Sequence, residues 1–183
     1  MRNLPKTIAN LTIAAALTFG LNACMEQSPL SSEETQSQEQ NLGFTMLKVK
    51  NPSLKKEFQV SRWIDENGGT LLVGDKKHGV SELSIPANAL SDKVLITFWW
   101  ESTGFLEGGA DFSPHGTQFN EPVRIELSYQ DADLNGINED DLKIYYYHED
   151  TGIWEVIGDE VHKDKKTVVG YTTHFSRYAI GMD

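Results

Sequence analysis

Apolar and polar residues alternate along the later part of the chain. In the clearest stretch the apolar residues stand at every second position: Val123, Ile125, Leu127 and Tyr129. The same period of two recurs in residues 94–100, 142–147 and 167–173, where the last stretch has Thr167, Val169, Tyr171 and Thr173 on one face. Because successive side chains of a strand point to opposite faces, each stretch is predicted to be a strand with one buried face.

Turn-forming residues separate these stretches. Four clusters carry Gly beside Asn, Thr or a second Gly: Asn67-Gly68-Gly69, Gly108-Gly109, Asn135-Gly136 and Thr151-Gly152. Gly and Asn adopt the positive φ that tight turns require. No window repeats its apolar residues at helical spacing over three turns, so the prediction is an all-β fold. Residues 44–183 are expected to form an antiparallel two-sheet β-sandwich, with a closed barrel as the alternative.

The first 23 residues have the layout of a secretory signal peptide. Arg2 and Lys6 give a short positive region, and an uncharged stretch rich in Leu, Ile and Ala runs from about residue 8 to 21. This stretch is shorter than the roughly 20 apolar residues of a membrane-spanning helix. Residues 1–23 are therefore predicted to be a cleaved leader.

The predicted leader ends at the one cysteine of the chain. The sequence Leu21-Asn22-Ala23-Cys24 resembles the lipobox of bacterial lipoproteins, and the alternative is an ordinary signal peptide with a chance cysteine. The resemblance implies that Cys24 receives a diacylglyceryl group, with chains such as palmitate, and becomes the first residue after cleavage. In that family an Asp after the cysteine commonly signals retention in the inner membrane, and Met25 stands here. The expected location is the bacterial cell envelope, anchored by lipid, and the outer membrane if the organism is Gram-negative.

Residues 24–43 are predicted to be a tether between this lipid and the folded domain. Positions 25–42 hold four Ser, four Gln and four Glu, with no basic and no aromatic residue. A segment of this composition buries too little apolar surface to offset the entropy lost on ordering. We expect it to be a solvated linker.

Charge and cysteine content exclude several classes of site. The chain carries 27 acidic and 16 basic residues, a net charge of −11, and without residues 1–23 the net charge is −13. Nucleic-acid binding requires a basic patch, so we expect no nucleic-acid partner. A single cysteine excludes an internal disulfide and any multi-cysteine metal cluster.

Four sequence elements follow one another between residues 58 and 180. The first two are residues 68–73, Gly-Gly-Thr-Leu-Leu-Val, and residues 85–90, Ile-Pro-Ala-Asn-Ala-Leu. The third is residues 114–123, Pro-His-Gly-Thr-Gln-Phe-Asn-Glu-Pro-Val, and the fourth is a pair of strands around Tyr145 and Trp154 that ends in His-Phe-Ser-Arg-Tyr at 174–178. In the third element, Gly116 allows a tight turn and Phe119 is expected in the core. Pro122 is expected at the first residue of the next strand, where its missing donor is tolerated.

Together these elements resemble the ZU-five domain family, named for zonula occludens and Unc-five netrin-receptor proteins. The resemblance implies a β-sandwich, in agreement with the alternation, and a role in protein–protein contact. Asn88 stands where the family has Gly, and Asn tolerates the left-handed backbone conformation of such a turn. The expected function is a non-catalytic binding or structural domain, with an unidentified envelope protein or a glycan as partner and with the membrane contacted through acylated Cys24.

One alternative is self-cleavage at His174-Phe175-Ser176. Some members of that family cut themselves between Phe and Ser of this tripeptide. The resemblance implies that His174 activates the Ser176 hydroxyl, which attacks the carbonyl of Phe175 to form an ester that water hydrolyses. The cut would release only residues 176–183, which favours a structural role for the three residues.

A second alternative is calcium binding by the loop at residues 131–141. Asp131, Asp133 and Asn135 alternate before a glycine, as oxygen ligands do at the start of an EF-hand loop. Leu142 stands at the twelfth position, where an EF-hand requires an acidic ligand. The candidate is therefore a non-EF loop with Asp131, Asp133, Asn135 and Asp141 as ligands, and calcium is the one cofactor considered.

A third alternative is a glycan-binding surface. Five aromatic residues on predicted strands form the candidate stacking platform: Trp63, Trp99, Tyr145, Tyr147 and Trp154. Aromatic residues on strands more often belong to the core. Adjacent residues such as Trp99 and Trp100 point to opposite faces of a sheet, so part of this set is expected outside the core.

Overall fold

The folded part of the chain is built from strands. A computed structural model describes residues 43–51, 56–101 and 109–183, with the side chain of residue 101 excepted. In these residues the chain forms twelve strands in two antiparallel sheets, and the only helical segment among them is a single 3-10 turn, Glu139–Asp141. The predicted all-β fold with two antiparallel sheets is confirmed. The predicted leader, Cys24 and the predicted tether up to residue 42 lie outside the described residues.

The larger sheet has seven strands. They are β1 (Thr45–Met46), β2 (Glu57–Ile64), β5 (Val94–Glu101), β6 (Ala110–Ser113), β8 (Lys143–His148), β9 (Ile153–Gly158) and β12 (Arg177–Met182). Their order is β2-β5-β6-β12-β8-β9, and β1 pairs with the C-terminal end of β12. In this order β2 and β9 are the edge strands.

The smaller sheet has five strands. They are β3 (Gly69–Asp75), β4 (Gly79–Ile85), β7 (Gln118–Ser128), β10 (Glu160–His162) and β11 (Thr167–His174). Their order is β10-β11-β7-β4-β3, so β7 lies at the centre. Pairs of strands such as β3–β4 and β8–β9 are neighbours within one sheet, and the chain then passes to the other sheet. The two sheets are therefore built by one chain that crosses between them repeatedly.

The core lies between the sheets. The seven-stranded sheet contributes a set of buried side chains that includes Ile64, Ile96, Phe98, Trp100, Phe112, Ile144 and Tyr178. The five-stranded sheet contributes Leu71, Val73, Leu83, Ile85, Val123, Ile125, Leu127 and Val168. Burial of so much apolar surface, at about 25 cal/mol per Å², is the main stabilisation of a fold without disulfides.

The predicted strands are confirmed, with one reversal of face. Residues 94–100 lie in β5 and residues 143–147 in β8, and alternate side chains of these strands lie in the core: Ile96, Phe98 and Trp100, and Ile144 and Tyr146. In β11 the alternation at 167–173 is also real, but the core face is the other one. Val168 packs in the core, whereas Tyr171 is 52% exposed. Periodicity alone identified the strand and could not say which of its two faces is covered.

Two turn predictions are borne out. Gly68, between β2 and β3, has φ +71°, and Asn88 has φ +67°, the left-handed conformation expected of it. A side chain at Gly68 would also meet the backbone of Ile85 and Pro86 at 2.3–2.7 Å. Gly is therefore required at position 68 both by the backbone angle and by the space available.

The position of Pro122 was predicted wrongly. The strand β7 begins at Gln118, so Pro122 lies inside the strand and not at its first residue. The ladder between β7 and β11 is irregular here, since Thr172 pairs with Val123 and His174 pairs with Gln118. Proline is tolerated at such an irregularity because no ladder hydrogen bond is required of its nitrogen. In the same motif Gly116 has φ +75° and Phe119 is buried, as predicted.

Candidate binding face

The outer face of the seven-stranded sheet carries a row of aromatic and charged side chains. Trp99 on β5 pairs with Asp111 on β6, and Asp111 pairs with Arg177 on β12. The Arg177 guanidinium lies over the ring of Tyr147 on β8, 4.2 Å from its centroid, and Tyr147 pairs with Trp154 on β9. Five adjacent strands thus contribute one residue each to a continuous row. We call Trp99, Asp111, Arg177, Tyr147 and Trp154 the outer row.

Alternation in the strands explains why these side chains point outward. Trp100, Tyr146 and Tyr178 are buried in the core, so their neighbours Trp99, Tyr147 and Arg177 face the other side. The rings of Tyr147 and Trp154 lie 5.0 Å apart in a tilted arrangement. The cation–π contact with Arg177 and the contact between the two rings hold Arg177, Tyr147 and Trp154 in one arrangement.

A second aromatic group lies beside the outer row. Phe44 stacks on Tyr145 with ring centroids 3.6 Å apart and meets Trp154 edge-on at 5.7 Å. Phe44 can lie there because Gly181 has no side chain, and a Cβ at that position would come within 2.6 Å of the Phe44 ring. Tyr145 is consequently buried beneath Phe44, and its hydroxyl donates to Asp183 Oδ1 at 2.7 Å. Burial and the Asp183 carboxylate together raise the pKa of Tyr145.

Charged side chains surround the middle of the outer row. His115 Nε2 lies 3.1 Å from Asp111 Oδ1, and Glu149 Oε1 lies 3.7 Å from Arg177 Nε and 3.9 Å from His115 Nδ1. These ion pairs are at least partly exposed, so each contributes little to stability and salt weakens it. Glu149 lies beside the Arg177 guanidinium, and the Arg177 side chain over Tyr147 is partly exposed at the surface of the sheet.

The predicted stacking platform is only partly assembled. Tyr147 and Trp154 are neighbours, and Trp99 shares their row at a distance of three strands. Tyr145 is covered by Phe44, and Trp63 lies on the edge strand β2 opposite Leu95, where it is 59% exposed. Phe44 and Arg177 were not predicted.

The outer face of the five-stranded sheet is different in chemistry. Glu126 on β7 accepts hydrogen bonds from Arg124 at 2.7 Å and Thr167 at 2.6 Å, and His162 lies at 3.2 Å. Burial raises the pKa of Glu126, but the bonds from Thr167, Arg124 and His162 outweigh it and lower the pKa to about 2. Its neighbour on β4, Glu82, lies 3.5 Å from Arg124. We call Glu82, Arg124, Glu126, His162 and Thr167 the charged network.

The predicted self-cleavage residues lie where the chain crosses from β11 to β12. Phe175 is buried, with its ring 5.1 Å from that of Phe112. His174 Nε2 is hydrogen-bonded to the Tyr146 hydroxyl, and Ser176 Oγ donates to the Tyr147 carbonyl at 2.7 Å. In this arrangement the nucleophile and the base contact other partners. Self-cleavage remains a prediction without a supporting contact.

The predicted calcium loop follows β7. Asp131 Oδ2 lies 2.7 Å from His78 Nδ1, and Asp133 Oδ1 accepts the backbone N–H of Asn135 at 3.2 Å. Asp141 ends the 3-10 turn. Within the described ranges, no group of three or more His, Cys, Asp and Glu residues is placed to hold a metal ion. Calcium binding here also remains a prediction.

Comparison with known proteins does not assign the chain to a family. No protein-family model matches the chain, and no curated protein matches it. The likeness to the ZU-five family therefore remains a prediction based on the motifs. The described part of the chain contains no helix of the length and apolarity that crossing a membrane requires.

Proposed function

We propose that this protein is a lipid-anchored, non-catalytic binding module of the bacterial cell envelope, and that it contacts a partner protein through the outer row. The observation that carries the proposal is the row itself, in which three aromatic side chains and an arginine lie on one face, outside the core. Trp, Tyr and Arg are the residue types that most often dominate binding energy at protein interfaces.

Preorganisation supports the same function. Arg177 is held against Tyr147, and Trp154 is packed between Tyr147 and Phe44. Side chains that already lie in one arrangement lose less conformational entropy when a partner covers them. A strand framework beneath them, with its core side chains fully buried, gives this surface a rigid base.

The envelope location is proposed from the sequence. The lipobox-like residues 21–24 and the leader before them support acylation at Cys24. Several acyl chains give stable anchoring, at about 0.8 kcal/mol per buried methylene. We expect Cys24→Ser to move the protein from the membrane fraction to the soluble fraction. Membrane partition equal to that of the unmodified protein would contradict the anchor.

The partner contact is tested by comparing two variants. We expect Tyr147→Ala combined with Trp154→Ala to reduce capture of a partner from envelope extract by about tenfold or more, since such aromatic residues are typical hot spots. The control is Tyr171→Ala, which removes an exposed aromatic ring from the five-stranded sheet. A partner band that the unmodified protein, the double variant and Tyr171→Ala capture equally would contradict the proposal.

A glycan is the second candidate partner. Asp111 and Arg177 stand between Trp99 and Tyr147, so two hydrogen-bonding groups lie between rings in the row. Sugar sites combine ring faces with a few polar groups in this way. Titration with a soluble β-linked tetrasaccharide such as chitotetraose, in the intact protein and in Trp154→Ala, distinguishes this candidate from a protein partner.

A further inference from the structure

We infer that the exposed edge of β9 accepts an extended polypeptide segment as an additional strand, and that this segment carries apolar side chains at alternate positions and Lys or Arg at both ends. The inference rests on the proposed function, because it specifies the kind of protein partner that meets the outer row. It also adds a feature that the outer row alone does not give, namely main-chain pairing.

The first observation is the position of β9. It is the last strand in the order of the seven-stranded sheet, and among the described residues it pairs with β8 alone. Trp154 and Val156 stand at alternate positions on its outer face, with Val156 41% exposed, and Ile153 on the opposite face is 61% exposed. An edge strand presents N–H and C=O groups to an incoming strand, and alternate apolar side chains provide the pockets that give such pairing specificity.

The second observation is that the edge of the sheet at β2 is protected against strand addition. On the opposite edge of the same sheet, Arg62 of β2 donates from Nη1 to the backbone carbonyl of Thr70 on β3 at 3.0 Å. A charged side chain on an edge is a common device against strand addition. The sequence of β9, Ile-Trp-Glu-Val-Ile-Gly, contains no Lys, Arg or Pro, and its one charged residue, Glu155, lies 2.6 Å from His148 Nε2 on β8.

The third observation limits the open edge to residues 153–156. At the C-terminal end of β9, the backbone approaches β11 so closely that a Cβ on Gly158 would lie 2.1 Å from the Val169 carbonyl oxygen. The chain then continues into β10, which pairs with β11. The incoming segment is therefore short, about four to six residues, and lies beside Ile153, Trp154 and Val156.

The fourth observation is the charge around the edge. Residues 149–161 contain five acidic residues and no Lys or Arg. Asp150 and Asp159 are exposed beyond the two ends of β9. This distribution favours a segment with a basic residue at each end. A second copy of β9, paired antiparallel, would bring the Asp150 end of one strand to the Asp159 end of the other, and like charges in such positions repel.

Strand addition would also extend the outer row. Trp154 and Val156 point to the outer face, opposite Tyr147 and Tyr145. Side chains on the same face of an added strand would lie directly beside them, within the distance at which cross-strand pairs interact. The edge and the outer row would thus form one continuous contact surface.

The test uses the full chain in mild detergent and two synthetic peptides. One peptide alternates Val and Thr over five residues with two Lys at each end, and the other has Glu in place of Lys. We expect the Lys-ended peptide to bind at least about tenfold more tightly than the Glu-ended one. N-methylation of alternate amides in the Lys-ended peptide removes main-chain donors, and we expect it to abolish binding.

The matched variants are Val156→Lys and Val80→Lys. Both side chains are 41% exposed, but Val80 lies on β4, which has a neighbour on each side. We expect Val156→Lys to weaken binding by about tenfold and Val80→Lys to change it by less than about twofold. Equal effects of the two variants, equal affinity of the two peptides, no binding by the Lys-ended peptide, or a dimer of the full chain that Val156→Lys dissociates would each overturn the inference.

Failure of this inference is distinguishable from failure of the proposed function. If Val156→Lys leaves partner capture unchanged while the Tyr147 and Trp154 double variant abolishes it, the outer row binds without strand addition. If neither variant affects capture, both are wrong.

Discussion

The two outer faces of the sandwich have opposite chemistry. On the five-stranded sheet, the charged network is closed on itself, since Glu126 accepts from Arg124 and Thr167 and Arg124 also lies near Glu82. On the seven-stranded sheet, the outer row consists of half-buried rings and a half-buried guanidinium that pack on one another. One face therefore has a hydrogen-bonded ionic network beside the exposed side chains of Leu72, Val80 and Tyr171, and the other has packed aromatic rings and an arginine, the residue types that dominate protein interfaces.

This difference separates a structural role from a binding role. Side chains that satisfy one another in a partly buried network contribute to stability, and removing one partner leaves another uncompensated. Partly exposed aromatic side chains contribute less to folding and more to association. Substitutions on the first face should therefore change stability, and substitutions on the second face should change binding.

The largest expected effect is from Glu126→Ala. Loss of the buried carboxylate leaves Arg124, Thr167 and His162 without their common acceptor, and we expect the free energy of unfolding to fall by about 3 kcal/mol. Urea denaturation at pH 7 measures it. Glu121→Ala, an exposed residue of the same strand, is the control and should change stability by less than about 0.5 kcal/mol. Equal effects of the two variants would contradict the structural role of the charged network.

Acid should remove stability that the charged network contributes. The pKa of Glu126 is lowered from 4.5 to about 2, so the stabilisation by its charged form is complete above about pH 4.5 and is lost as the pH falls toward 2. The lowered pKa corresponds to about 3 kcal/mol between these limits. We expect Glu126→Gln to flatten this part of the stability curve, measured by urea denaturation from pH 7 to pH 2. An unchanged slope in the variant would mean that other carboxylates cause the acid sensitivity.

The outer row should behave in the opposite way. We expect Trp154→Ala to lower the free energy of unfolding by no more than about 1–2 kcal/mol, because the side chain lies outside the core and loses mainly its contacts with Tyr147 and Phe44. Urea denaturation beside Glu126→Ala gives the comparison directly. A larger loss from Trp154→Ala than from Glu126→Ala would reverse the assignment of the two faces.

The smallest expected effect concerns the crossing between the two sheets at His174-Phe175-Ser176. Since Ser176 Oγ donates to the Tyr147 carbonyl and His174 contacts Tyr146, we expect the chain to remain uncut and Ser176→Ala to leave its mass pattern unchanged apart from the substitution. Mass spectrometry under denaturing conditions checks this. A fragment ending at Phe175 that disappears in Ser176→Ala would demonstrate self-cleavage.

Alternation of apolar residues was sufficient to predict the strands and the two-sheet fold, because a half-buried strand leaves a period of two in the sequence. It was insufficient where the two faces of a strand have a similar mixture of residues. In β11 the face of Val168 and the face of Val169 read alike, and only packing distinguishes them.

The candidate site was less accessible to sequence reasoning. The sequence indicated that Tyr147 and Trp154 are aromatic residues on strands. It did not indicate the strand order β5-β6-β12-β8-β9, and that order creates the outer row. Phe44 was missed because its place depends on Gly181, 137 positions later in the chain. A glycine beside an aromatic-rich strand was the one available signal for such a close approach.

The most direct test of the account is photo-cross-linking in living cells. A photoreactive phenylalanine analogue is placed singly at Tyr147, Trp154 and Tyr171, and adducts are identified by mass spectrometry. We expect positions 147 and 154 to give the same partner adduct and position 171, exposed on the five-stranded sheet, to give at most a small fraction of it. A strong adduct at position 171 together with none at 147 and 154 would contradict the assignment of binding to the outer face of the seven-stranded sheet.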